Sequence, residues 1–401
     1  MPRVLLVLPT TTYRAADFLR AAQALGASVI VATEDEPPLL AERAVRVDLD
    51  DPEGAAAAMV ERDDQLAVDA VVAVDDRGVL PAAHAAAQLG LPHNPPDAVA
   101  ATRDKAELRT RLAAVEVSQP DFEVLRDDEL PSLPYPLVLK PLDRSGSTGV
   151  IRVDDPAEAP AVIARIRRIV GDVDARVLAE RFVAGDEVSV EGLLRDGTLE
   201  VLAVFDKPDR LDGPYFEETI YVTPSRLRPA ALHEVARVVA EACRAIGLTE
   251  GPVHAEARID DAGRVVLIEV AARSIGGLCS RALTFGAGVS LEELILRHAL
   301  GLPLDDLERA ADASGVMMLP IPRSGTLLEV AGRDDALAVP GVLGLEITVP
   351  PGRAVRALPE GDRYLGFLFA RGNSPEDVVA ALREASSRLT VRMDDVSERK
   401  T

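Results

Sequence analysis

Three short apolar runs, RVLLVL at 3–8, SVIVA at 28–32 and DAVVAV at 69–74, alternate with segments of helical periodicity at 14–25, near 53–62 and at 78–89. Strand alternating with helix leaves few options. Parallel strands need crossover connections, so residues 1–100 are expected to form an open, doubly wound parallel sheet. Runs that are apolar throughout suit strands covered on both faces. Aromatic residues make up only 3% of the chain and Trp is absent, so Val, Leu, Ile and Ala must fill the core. After the first strand stands PTTTYR in place of G-x-G-x-x-G, which gives dinucleotide binding no support.

Beyond residue 100 the pattern changes. A helix at 103–112 leads into strand, glycine-rich loop, strand (149–153), helix (157–170) and strand (176–180) between 133 and 183. Strands at 186–194 and 199–205, a loop at 206–225, a helix at 229–246, a hairpin at 252–270 and a helix at 290–300 follow. From 311 come short strands and one helix opened by NSPEDVVAAL, with Ser374 as N-cap, Pro375 first in the helix and Asp377 at the capping-box position. The expected class is α/β and α+β, divided at 1–100, 101–310 and 311–401, with a unit of its own at about 133–183 inside the second. A net charge of −22 argues against nucleic acid or an anionic membrane as partner. Two cysteines, no signal-peptide pattern and no apolar stretch long enough for a bilayer lead to the expectation of a cytoplasmic protein.

The loop VLKPLDRSGSTGV, 138–150, places its lysine before the glycines, the reverse of a P-loop. Only four of the chain's 44 cationic residues are lysine: Lys105, Lys140, Lys207 and Lys400. An ammonium and a guanidinium are not interchangeable, so the three lysines in the chain body invite a specific reason. The hairpin PVHAEARIDDAGRVVLIEV turns within DDAG. With Ala262 and Gly263 as loop residues Glu256 faces Glu269; a turn one residue earlier makes them diagonal neighbours. Facing carboxylates repel unless a cation lies between them. They could hold Mg²⁺, or both could point to water on an outer face. Arg273 follows Glu269 at alternating positions, before a close backbone turn, RSIGG, and suits a carboxylate or a phosphate oxygen, or a salt bridge to a neighbouring acid. In LAERFVAGDEVSVEGLL, Glu187, Ser189 and Glu191 share a strand face. The link between Glu180 and Glu187 could offer backbone groups to an adenine edge, or be an ordinary turn. His254 shares a face with Glu256; it could touch the metal's ligands or the substrate, or be structural. Cys279 has no partner for a nucleophile–base pair and receives no catalytic role.

In order and spacing these motifs resemble the ATP-grasp superfamily of ATP-dependent ligases, over nearly the whole chain. Within it the chain looks most like the bacterial L-amino-acid ligases and carnosine-synthase-like enzymes, akin in architecture to biotin carboxylase. The resemblance implies ATP and Mg²⁺ as cofactors. Lys105 and Lys140 become phosphate ligands, Ser145, Gly146, Ser147 and Gly149 a lid, and Glu180, Arg181, Phe182 and Val183 the adenine hinge. Glu187 takes the ribose, Glu256 and Glu269 the metal, and Arg273 the reacting carboxylate or its phosphate, with Lys140 and Arg273 as catalytic residues. The substrate pocket would include Lys207, His254, Arg273, Ser274, Gly276 and Gly277; for Lys207 an ion pair with Asp206 or Asp209 is the alternative. One departure is Ala271, where the family usually has an Asn ligand. The implied partners are a small-molecule carboxylate and an amine, joined as an amide through an acyl phosphate, in a chain that could be a homodimer. Activation of bicarbonate, or ATP binding without turnover, are the rival readings.

Overall fold

The computed structural model describes residues 1–35 and 44–394, the side chains of 63–66 excepted, so Lys400 and the last residues of the expected C-terminal domain lie outside it. Strands Arg3–Val7, Ser28–Thr33, Ala44–Arg46 and Ala70–Ala73 form a parallel sheet, with Arg3–Val7 between Ser28–Thr33 and Ala70–Ala73. Helices Ala15–Ala24 and Pro52–Leu66 lie on the connections between these strands, and Asp76–Leu89 follows the last of them. Leu5, Val7, Ile30 and Ala32 pack on one face of this sheet, and Val4, Leu6, Leu8 and Val31 on the other, so both faces are covered as the unbroken apolar runs require.

A four-stranded antiparallel sheet follows: Phe122–Leu125, Val177–Arg181, Leu137–Pro141, Ile151–Val153 in spatial order. Helix Ala159–Val170 covers it. The glycine-rich loop joins Leu137–Pro141 to Ile151–Val153, strand to strand, with no helix after it.

The largest sheet has eight strands and is antiparallel throughout its pairs. It runs Val265–Ala271, Gly251–Ile259, Asp186–Arg195, Thr198–Asp206, Ile220–Thr223, Ala313–Leu319, Gly366–Gly372, Val342–Ile347. The boundary expected at 310 thus falls between segments of one sheet. Ile220–Thr223, within what the sequence suggests is a loop, is the strand that joins the two halves; all four of its residues are buried. Helix Pro229–Ile246 lays Val235, Val238, Val239 and Ala242 on this sheet. Ser374 caps helix Pro375–Ser387 as expected, its Oγ accepting from the Asp377 N–H at 3.2 Å. Among the described residues no helix is long and apolar enough to cross a membrane, and Cys243 and Cys279 are both buried and unpaired.

Candidate functional site

A cavity of about 300 Å³ lies where the three sheets meet. The parallel sheet reaches it through Tyr13, Asp75 and Asp76, which follow the carboxyl ends of two adjacent strands, where open α/β sheets place ligands. The antiparallel units supply the rest of the wall.

At one end stand the two lysines. Asp104 caps helix Lys105–Ala114 by accepting from the Ala106 and Glu107 N–H groups, and the Lys105 N–H donates to the Leu142 carbonyl at 3.0 Å. Lys105 is thereby fixed beside the end of the strand that bears Lys140. Its Nζ donates to the Arg144 carbonyl at 2.6 Å and lies 3.6 Å from Glu269 Oε1. Lys140 is buried, with Nζ 2.6 Å from Glu180 Oε2. Burial draws its pKa below the ordinary lysine value, against the pull of Glu180.

The side chain of Glu180 therefore serves Lys140 rather than an adenine edge. Its other oxygen accepts from Arg109 Nε at 2.6 Å. Burial alone would raise its pKa; Arg109 and Lys140 outweigh burial and hold it at about 2. An adenine edge at this link would have to be met by backbone groups. The Arg181 and Phe182 N–H groups are taken by Asp121 and Pro136, whereas that of Val183 has no hydrogen-bond partner among the described residues. Val138, Phe182, Phe216 and Ile268 give this end of the cavity its apolar lining.

Removing the Glu180 charge leaves two buried cations without compensation. Glu180→Gln is expected to cost about 3–5 kcal/mol of stability at pH 7. Because the folded-state pKa is lowered from 4.5 to about 2, the wild-type advantage is fully present above 4.5 and fades as pH falls toward 2. Urea denaturation of both proteins at pH 7 and pH 3 checks this; an equal gap at both pH values would refute it.

The facing of Glu256 and Glu269 is borne out. Next to the turn the pairing follows neither register read from the sequence, and a bulge then shifts it by one residue into the facing one. Ile259 pairs with Val265 and Ala257 with Leu267, but Glu256 pairs with Glu269 and His254 with Ala271. The extra residue is Ile268, whose carbonyl accepts from Arg109 Nη2 at 2.6 Å. The solvated outer face is excluded, since both acids line the cavity. Lys105 and Lys140 keep Glu269 ionised against the opposing effect of burial.

Lys207, placed in the substrate pocket from the sequence, is buried behind the cavity wall, and neither acid named as its alternative partner binds it. Asp206 is bound by Ser225 and Arg226, and Asp209 by Thr219 and Arg383. Lys207 Nζ instead lies 2.7, 2.5 and 2.9 Å from Glu187, Glu218 and Glu256. Oxygens of these three acids lie within 4.8 Å of one another, a spacing that would suit a metal, but an ammonium stands among them. Burial lowers the lysine pKa and the three carboxylates more than reverse it, to well above its ordinary value. The second oxygen of Glu187 accepts from Arg258 Nε at 2.7 Å, so a ribose hydroxyl would have to share an occupied carboxylate. Tyr221 and Tyr364 both donate to Glu218, at 2.5 and 3.3 Å.

Arg273 faces the cavity, clamped by both oxygens of Asp76 at 2.7 and 2.9 Å. The loop after it is held from two directions. Ser274 is buried away from the cavity wall because its Oγ accepts from Arg14 Nη2 at 2.7 Å. The Ile275 N–H donates to Glu191 Oε2 at 2.8 Å. The other Glu191 oxygen lies 2.5 Å from His254 Nδ1, and His254 Nε2 is 3.5 Å from Glu256. Burial would lower the histidine pKa, but Glu191 raises it to about 9. Gly276 opens onto empty space, whereas Gly277, at φ +63°, would put a Cβ 2.7 Å from Phe367. Of the loop Ser145–Gly149, Ser145, Gly146 and Ser147 line the cavity and Gly149 is buried behind it against Pro141.

Arg14, Asp76, Arg109, Arg258 and Glu218 complete the site and were not singled out as site residues from the sequence. For Arg109 a signal existed: it stands one helical turn after Lys105 and shares its face.

Comparison with known proteins adds three family matches: an ATP-grasp domain over residues 133–282, an ATP-grasp N-terminal domain over 19–93 and L-amino acid ligase C-terminal domain 2 over 317–394. The chain is 26% identical over 258 residues to alanine–anticapsin ligase of Bacillus amyloliquefaciens, covering 58% of this chain and 54% of that protein. It is 26% identical over 231 residues to dapdiamide A synthase of Enterobacter agglomerans, covering 54% and 53%. The chain thus spans about half the length of these curated relatives. The crystal structure of L-amino acid ligase from Bacillus licheniformis superposes with a TM-score of 0.82 at 27% identity, covering 98% of this chain and 99% of that one.

Proposed function

The chain belongs to the ATP-grasp superfamily of ligases, and from that premise we propose that it joins a small carboxylic acid, an α-amino acid or a close relative, to an amine at the expense of ATP. One observation carries the reading: Lys105 and Lys140, the facing pair Glu256 and Glu269, and Arg273 all converge on one cavity. In the proposed reaction a carboxylate oxygen attacks the γ-phosphorus of ATP, ADP leaves, and the amine displaces phosphate from the acyl carbon. Such chemistry asks for positioning and charge neutralisation. A covalent nucleophile is not needed, and Cys279, buried with its thiol pKa pushed up by that burial, is unsuited to be one.

The residues present fit Mg²⁺, since Glu256 and Glu269 are adjacent hard oxygen donors beside two phosphate-binding candidates. Bound there, the ion would neutralise charge on the transferring phosphoryl group. The chain's own residues do the remainder. Lys105 and Lys140 draw the polyphosphate into place. The Val183 N–H and the apolar end receive the base. Arg273, held at a fixed angle by Asp76, orients the acid.

The test is incubation with ATP, Mg²⁺ and pooled amino acids, with phosphate assayed and products weighed by mass spectrometry. Expected is phosphate release above the ATP-only background together with a product of acid plus amine less water. Release with no pair would refute the reading, and stimulation by bicarbonate alone would replace it with a carboxylating enzyme.

A further inference from the structure

The loop that carries Ser145–Gly149 is fastened at its far end to a segment more than two hundred residues downstream. The Gly149 N–H donates to the Pro359 carbonyl at 2.8 Å, and Thr148 Oγ1 donates to the Gly361 carbonyl at 2.7 Å, out of contact with solvent. Helix Ala159–Val170, in the same unit as the loop, adds a third fastening. Arg165 binds both oxygens of Glu360 at 2.7 and 3.1 Å, and its Nη1 donates to the Tyr215 hydroxyl at 2.7 Å.

The next three residues face the other way. Asp362, Arg363 and Tyr364 line the cavity, and the Tyr364 hydroxyl reaches Glu218. Six consecutive residues thus hold the glycine-rich loop with their first half and wall the far end of the site with their second. Gly361 is the joint. A Cβ there would lie 2.3 Å from the Arg356 carbonyl, so a side chain would push the segment off the chain that leads into it. A second cavity, of about 590 Å³, adjoins the first and shares Asp76, Arg144, Ser145, Asp362 and Arg363 with it.

We propose that Pro359–Tyr364 is a coupling strut for the ligase reaction proposed above, on which this inference rests, and that Arg165 and Glu360 are its positioning residues. The strut holds the loop and the far wall as one unit, so an acyl phosphate formed beneath the loop meets the amine before it meets water. In the coupled step the amine nitrogen bonds to the acyl carbon, the acyl C–O bond to phosphate breaks, and the amine proton leaves to phosphate or solvent. In the wasted step a water oxygen replaces the nitrogen, and the starting acid and phosphate are released. Both steps consume one ATP, so the ratio of phosphate to amide reads the strut directly.

The experiment uses the full chain with Glu360→Gln, Arg165→Ala and the conservative Arg165→Lys, measuring phosphate and amide in the same reaction. Phosphate per amide is expected to rise at least about threefold in the first two, with Arg165→Lys closer to wild type. A ratio unchanged in all three, whatever happens to the rate or the melting temperature, overturns the strut. If wild type forms no amide with any pair, the ligase reading fails, and the strut is judged by trypsin cleavage after Arg144 with a non-hydrolysable ATP analogue bound. Faster release of the 1–144 fragment from Glu360→Gln than from wild type supports it, and equal rates overturn it.

Discussion

Glu269→Gln is expected to lower kcat by about 10³-fold or more while ATP still binds. The substitution keeps shape and hydrogen-bonding length and removes one negative charge. That charge is present at neutral pH, since Lys105 and Lys140 hold the Glu269 pKa below its ordinary value despite burial. Gln is a poor donor to a hard divalent ion, and the loss leaves Glu256, already shared with Lys207, as the remaining member of the facing pair. Steady-state rates across a Mg²⁺ titration check the prediction, with nucleotide affinity measured in parallel. A wild-type rate would remove Glu269 from the metal assignment.

The second large effect is expected of Lys207→Met. The ammonium is the cation within 3 Å of Glu187, Glu218 and Glu256 together, and its side chain is only 3% exposed. Taking it away leaves three carboxylates crowded in a poorly solvated space, a cost of about 3–5 kcal/mol in folding stability. Loss of turnover should accompany it, because Glu256 and Glu218 would rearrange. Lys207→Arg should not restore the site, since a planar guanidinium cannot replace a compact charge that faces three acids at once. Urea denaturation and turnover of both variants decide the matter; an unchanged midpoint in Lys207→Met would mean that the three acids are neutralised some other way.

Local pattern made much of this molecule legible. Alternating apolar runs gave the parallel sheet, and the DDAG turn gave the hairpin, with Glu256 and Glu269 either facing or diagonal; the bulge decides for facing. The bulge at Ile268 was not legible, because it depends on Arg109, which reaches the Ile268 carbonyl from 159 residues away. Strand Ile220–Thr223 escaped for a related reason. A run of four residues closed by Pro224 is too short to show a period, and pairing with Ala313–Leu319 on one side and Asp206 on the other makes it a strand. The clamps on the site are equally non-local: Asp76 on Arg273 spans 197 residues and Arg14 on Ser274 spans 260. Lys207 shows the limit of reading charge from sequence neighbours. Asp206 and Asp209 are next to it in the chain, but a strand and a loop turn them toward Arg226 and Arg383.

Arg273 lies two residues past the edge strand of the large sheet, but the carboxylate that fixes it opens a helix of the first hundred residues, beside Tyr13 and Asp75 on the same wall. The two ends of the cavity are therefore heritable separately. Recombination that exchanged the parallel sheet for that of another ATP-grasp protein would replace Tyr13, Asp75 and Asp76 in a single event, leaving Lys105, Lys140 and residues 180–183 in place. A change in what the cavity accepts need not wait for point mutations around Arg273; it can arrive with a new first domain.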